Sequence, residues 1–111
     1  MMTTAHLTAE RVTLTVTAGR IVDGGHRRRW SYTISVDGTP VHDGSDLEGH
    51  VSDDADQMLE HLASFLYAWQ ESRAWAGADG ENAGLFPEAL WGTPVADEAE
   101  YLYALTQPDG Y

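Results

Sequence analysis

Asp54-Ala55-Asp56-Gln57-Met58-Leu59-Glu60-His61-Leu62-Ala63-Ser64-Phe65-Leu66-Tyr67-Ala68-Trp69 opens the one long amphipathic helix signal in this chain, which continues to Ala76. Met58, Leu59, Leu62, Phe65, Leu66 and Trp69 recur at helical spacing, and Ala55 and Ala76 extend the stripe. Asp56, Glu60, Ser64, Gln70 and Glu71 fall on the other side. Ser52, Asp53 and Asp54 are all good helix caps, and Gln57 three residues after Asp54 fits a reciprocal capping box. Acids at this end also suit the positive pole of the helix dipole. Gly77 marks the stop. Everything else is read for what would pack against this helix.

Upstream, Glu10 to Val22 alternates as a half-buried strand should. Val12, Leu14, Val16 and Ala18 face one way, and Thr13, Thr15 and Thr17 the other. Asp23-Gly24-Gly25 reads as a turn, and His26 to Val36 as a second strand with Trp30, Tyr32, Ile34 and Val36 on one face. A three-residue loop at 23–25 sets Val12 opposite Val36, Leu14 opposite Ile34, Val16 opposite Tyr32 and Ala18 opposite Trp30. The two apolar faces then coincide, as register selection requires. Asp37-Gly38 signals a two-residue hairpin into a short third strand, Thr39 to Asp43, with Val41 opposite Ile34. Pro40 places that strand at an edge. Residues 1–9 read as a loose polar tail, and Gly44 to Val51 as a polar loop.

Downstream, residues 77–84 form a loop without periodicity. Pro87 opens a short helical turn through Trp91. Thr93-Pro94 caps and begins a final helix striped by Val95, Ala99, Leu102 and Tyr103, running to about Thr106 and ended by Pro108-Asp109-Gly110. The order is β-β-β-α-α. It predicts an α+β domain: a three-stranded antiparallel sheet with one long helix and one or two shorter C-terminal helices on one face.

The 111 residues are one domain by length, and 42% hydrophobic with 22% charged residues is ordinary for a globular chain. The net charge of −12 is not ordinary, and it argues against direct binding of nucleic acid or an anionic membrane. It is also unevenly placed. Residues 1–42 carry five Arg against three acids, a balance of +2, and residues 43–111 carry Arg73 against fifteen acids, a balance of −14. The absence of Cys excludes disulfides, thiolate nucleophiles and Cys-based zinc sites, and suits a cytoplasmic protein. The N-terminal residues lack the pattern of a signal peptide, and no apolar run approaches a membrane span.

Residues 42–54 gather His42, Asp43, Asp46, His50, Asp53 and Asp54. His and carboxylate side chains suit divalent metals or general acid–base work, so His42, Asp46 and His50 define one alternative, a small metal-dependent hydrolase. Their spacing matches neither a zinc-protease helix nor a calcium loop. A polar loop and a helix cap account for the same residues, so no metal or other cofactor is expected. Arg27-Arg28-Arg29 alternate faces in a strand and so make no flat basic patch. They suit pairing with the chain's own acids.

Asp43, Asp46, Glu48, Asp53, Asp54, Asp56, Glu60 and Glu71 would line one side of the molecule. That surface fits a protein partner with a basic face, and in its sharpest form mimics a nucleic-acid backbone. A solvated helix face serving solubility is the plainer account. Tyr67 and Trp75 fall off the apolar stripe and are candidate aromatic anchors for such a partner, or for a homodimer, unless the final helix covers them.

The segments Met58-Leu59, Leu62-Ala63-Ser64-Phe65-Leu66 with Ala68, and Glu81-Asn82-Ala83-Gly84-Leu85-Phe86-Pro87 resemble small uncharacterised acidic proteins of actinobacteria and their phages. The resemblance spans roughly the C-terminal two-thirds of the chain and carries no site residue with it. An Arg-only basic set fits a high-GC source. A phage origin would imply a stoichiometric inhibitor of a host protein. The expectation is therefore an acidic interaction protein without catalytic activity.

Overall fold

The computed structural model describes residues 3–107. Four strands form an antiparallel meander in the order β1-β2-β3-β4: β1 Thr4–Thr8, β2 Val12–Val22, β3 Arg27–Val36 and β4 Thr39–His50. Helix α1, Ala55–Ala76, packs over β1 and β2 and against α3, Ala99–Leu105, which follows the single turn α2, Pro94–Asp97. The fold is α+β, as expected, with one strand more than the sequence reading allowed.

The central hairpin has the expected register. Val12 pairs with Val36, Leu14 with Ile34, Val16 with Tyr32 and Ala18 with Trp30. Val12, Leu14, Val16, Trp30 and Ile34 are buried beneath Met58, Leu59, Leu62, Leu66 and Trp69 of α1. The capping box is complete: Gln57 N donates to Asp54 Oδ1, and Asp54 N donates to Gln57 Oε1, both at 2.8 Å. Two of the four helix-end donors are thereby satisfied before any tertiary contact forms.

The tail expected to be loose contains β1. Ala5 and Leu7 lean toward the core, while Thr4, His6 and Thr8 face outward and bond across the strand pair to Thr17, Thr15 and Thr13. Two inward apolar side chains in five residues are too few to stand out from a polar tail. The segment 44–51 is likewise mostly strand, because β4 runs on to His50. Two bulges hid it. The pairing shifts between Ile34 and Ser35, so His42 rather than Val41 opposes Ile34, and it shifts again between Trp30 and Tyr32. Each bulge breaks the alternation by which a strand is recognised. Gly44 belongs to this design, since a Cβ there would lie 2.6 Å from the Tyr32 ring.

Three smaller corrections follow from packing. Phe65 and Ala76, placed on the apolar stripe, are exposed. The final helix breaks at Glu98, whose side chain turns back to the β1–β2 connection. The stop at Pro108-Asp109-Gly110 lies outside the described residues. Thr93 caps as expected, its hydroxyl accepting from Val95 N at 3.2 Å. No helix among the described residues is long and apolar enough to cross a membrane.

Candidate binding surface on the long helix

At 100° per residue, Asp56, Glu60, Tyr67, Glu71 and Trp75 share a stripe roughly 100° wide on the solvent side of α1. Its ends, Asp56 and Trp75, are about 28 Å apart at helical rise. Two depressions flank this stripe. On the β4 side, about 180 Å³ is enclosed by Tyr32, Asp46, Leu47, Leu62, Phe65, Leu85 and Phe86. On the α2–α3 side, a groove runs from Gln70, Ala74, Trp91 and Ala96 past Asp97 and Glu100 to Tyr101 and Ala104.

A chain of edge-to-face rings passes under α1 from one flank to the other. Phe86 lies 6.3 Å from Tyr32 and 5.9 Å from Trp69, and Trp69 lies 5.6 Å from Trp91. The Arg73 guanidinium sits 5.5 Å over the Trp91 ring. Such pairs add directional attraction to area burial and hold both flanks to one frame.

The eight acids read from the sequence do not share one face. Glu48 opposes Arg29 on the sheet surface away from α1 and takes Arg27 at 3.2 Å and Arg29 at 3.3 Å. Asp43 opposes Thr33 in the same strand pair. Asp53 accepts from His50 N at 2.9 Å, and Asp54 caps α1, so both serve the helix start. Asp56, Glu60 and Glu71 remain on the helix stripe. Asp97 and Glu100, which are not among those eight, line the flanking groove. The spacing of Trp91 and Tyr101 around them was the available signal.

The two aromatic anchors differ. Trp75 is 84% exposed, and its indole N–H donates to Glu71 Oε2 at 2.8 Å. Tyr67 is half-buried and stacked on Tyr103 at 5.2 Å with the rings 13° from parallel. The final helix therefore covers Tyr67 and leaves Trp75 open.

The hydrolase constellation does not assemble. His42, Asp46 and His50 sit on a strand rather than a loop, and His42 and His50 are eight residues of strand apart, roughly 25 Å. His42 Nε2 meets Tyr32 Oη at 3.2 Å, whereas His50 Nδ1 meets Ser52 Oγ at 2.7 Å. Among the described residues no group of three or more His, Asp or Glu side chains is placed to hold a metal. Burial, and then the charges of Asp46 and Asp43, push the Tyr32 phenol above its ordinary range, which keeps it protonated. Arg28 donates to Gly19 O at 2.8 Å, so all three clustered arginines are engaged within the chain. Comparison with known proteins finds no matching family model, no matching curated protein and no matching solved structure.

Proposed function

We propose that this protein is a non-catalytic binding protein of the cytoplasm that docks the exposed stripe of α1 and its α2–α3 flank on a basic surface of a protein partner. The observation that carries this reading is the pattern of unpaired acid beside exposed ring. Asp56, Glu60, Asp97 and Glu100 form no ion pair among the described residues, and Trp75, Trp91 and Tyr101 are exposed. Carboxylates of this density speed approach to a cationic face, while aromatic side chains supply the desolvated contacts that slow release. In its sharpest form the partner is a nucleic-acid-binding protein of a phage host, whose basic groove the carboxylates occupy in place of phosphates.

The test is affinity capture from a host lysate at low and high salt, using the native chain and an Asp56→Lys, Glu60→Lys variant. A partner retained by the native chain at low salt, released by salt and absent from the variant supports the reading. Equal capture by both chains removes it. Exposed Trp75, Tyr101 and Leu105 also favour a homodimer as a second reading. Sedimentation across a concentration range separates the two.

A further inference from the structure

We infer that the depression on the β4 flank of α1 is a socket for a single arginine side chain of a protein partner, with Asp46 as its anchor. The inference rests on the reading of a basic partner and assigns where one of its cations inserts.

The bulge in β4 provides the geometry. Trp30 pairs with Leu47 and Tyr32 with Gly44, so Ser45 and Asp46 together oppose Ser31. An extra residue in one strand re-aims the side chains that follow it. Here it sets Asp46 and Leu47 consecutively along the depression, Leu47 buried in its floor and Asp46 exposed at its mouth. Asp46 has no hydrogen-bond or ion-pair partner among the described residues. Two residues along, Glu48 is neutralised by two arginines. Asp46 thus lines the cleft as a carboxylate without a cation among the described residues.

The walls specify the rest of the occupant. Phe65 and Leu85 stand 44% and 47% exposed at the rim, so apolar surface frames the mouth beside Asp46. Leu62 and Phe86 close the interior. About 180 Å³ is smaller than the roughly 300–1,000 Å³ typical of sites for drug-sized molecules, and suits one long side chain. An aliphatic stem would lie between Phe65 and Leu85, and a planar cation would reach Asp46 beside the Tyr32 and Phe86 rings. Arginine meets both demands. Its guanidinium stacks on aromatic faces and binds a carboxylate through two parallel N–H groups, which an ammonium cannot do.

The probe is a capped tetrapeptide with one central arginine, compared with citrulline and norleucine counterparts, titrated into isotope-labelled protein and followed by NMR. The arginine peptide should shift Leu62, Phe65, Leu85 and Phe86 and bind at least about tenfold tighter than the citrulline peptide. Asp46→Asn should abolish that preference while leaving the rest of the spectrum native. Leu85→Ser should weaken the arginine and norleucine peptides alike. Equal binding of arginine and citrulline, tighter binding of norleucine, shifts confined to other surfaces, or no binding at about 10 mM each overturn the assignment. So does a concentration-dependent dimer that covers Phe65 and Leu85, which would make a second copy the occupant. Peptide binding without a captured protein partner would sink the proposed function and leave the socket standing.

Discussion

Glu98 Oε1 accepts from the backbone nitrogen of Val12 at 3.1 Å, and from that of Arg11 at 3.0 Å. One carboxylate oxygen thus joins the break between α2 and α3 to Arg11 and to Val12, the first residue of β2, which stands 86 positions earlier in the chain. Val12 is fully buried, so without Glu98 its N–H would be left without a partner. Glu98→Ala should cost about 1.5–3 kcal/mol in a denaturant titration, the range for hydrogen bonds to a charged acceptor. Glu98→Gln should cost less, because its amide oxygen still accepts. Hydrogen exchange at Arg11 and Val12 should accelerate in the alanine variant. Unchanged exchange there would show that the contact is incidental.

The Asp37-Gly38 turn couples backbone geometry to charge. Asp37 adopts φ 52° and Gly38 φ 83°, the left-handed pair that a tight hairpin requires. The Arg11 side chain, bonded to Asp37 through Nη2 at 2.6 Å and Nε at 3.1 Å, holds the Asp37 carboxyl below its ordinary range, chiefly by the hydrogen bond. A carboxyl depressed in the folded state stabilises fully above its unfolded value, about pH 4, and loses that contribution as pH falls through the folded value. Asp37→Asn keeps a residue that tolerates positive φ and removes the ion pair. The melting temperatures of the two proteins should differ slightly at pH 6 and converge toward pH 2. A gap independent of pH would refute the coupling. Asp37→Ala should be worse than Asp37→Asn at every pH.

The core hairpin and α1 were legible because each obeys a single period without interruption. Val12 to Ala18 and Trp30 to Val36 alternate cleanly, and Met58 to Trp69 repeats at 3.6 residues. What escaped was whatever breaks a period. The bulges of β4 put Val41 outside and set Asp46 and Leu47 side by side, so a strand of twelve residues read as a stub and a loop. The five residues of β1 are too few to show a pattern. Phe65 satisfies the helical stripe yet rims a cleft, because its surroundings depend on where β4 and Leu85 arrive, which is tertiary information. The acids were all visible as letters. Only pairing distances separate Glu48, held by arginines, from Asp54, spent on a cap, and from Asp56, left open.

Leu62 and Phe65 provide a paired measurement of that distinction. Leu62 is 1% exposed between helix and sheet, and Leu62→Ala should cost about 2–5 kcal/mol through lost transfer energy and a residual cavity. That is a large share of a total stability of about 5–15 kcal/mol. Phe65→Ala, at the cleft rim, should cost distinctly less in the same titration. A loss below about 1 kcal/mol for Leu62→Ala would mean that the packed face has been misplaced.

The charge on α1 and the ring at its C-terminal end should act on different stages of binding. Asp56 and Glu60 project from the helix without counter-ions among the described residues, so their field reaches beyond the surface and acts before contact. Trp75 acts only after contact, when its ring is desolvated, and its bond to Glu71 holds it in one orientation beforehand. An anchor already oriented loses less freedom on binding. Asp56→Lys with Glu60→Lys should therefore lower the association rate at low salt by about tenfold or more and flatten its salt dependence. Trp75→Ala should chiefly raise the dissociation rate. Glu71→Ala should do so more weakly, by freeing the indole without removing it. None of these changes touches the buried side of α1, so circular dichroism and thermal melting should stay close to native. The rates are measurable by surface plasmon resonance over a series of salt concentrations once the partner is in hand. If reversing both acids leaves the association rate and its salt slope unaltered, the acidity serves solubility alone and the binding reading of this helix fails.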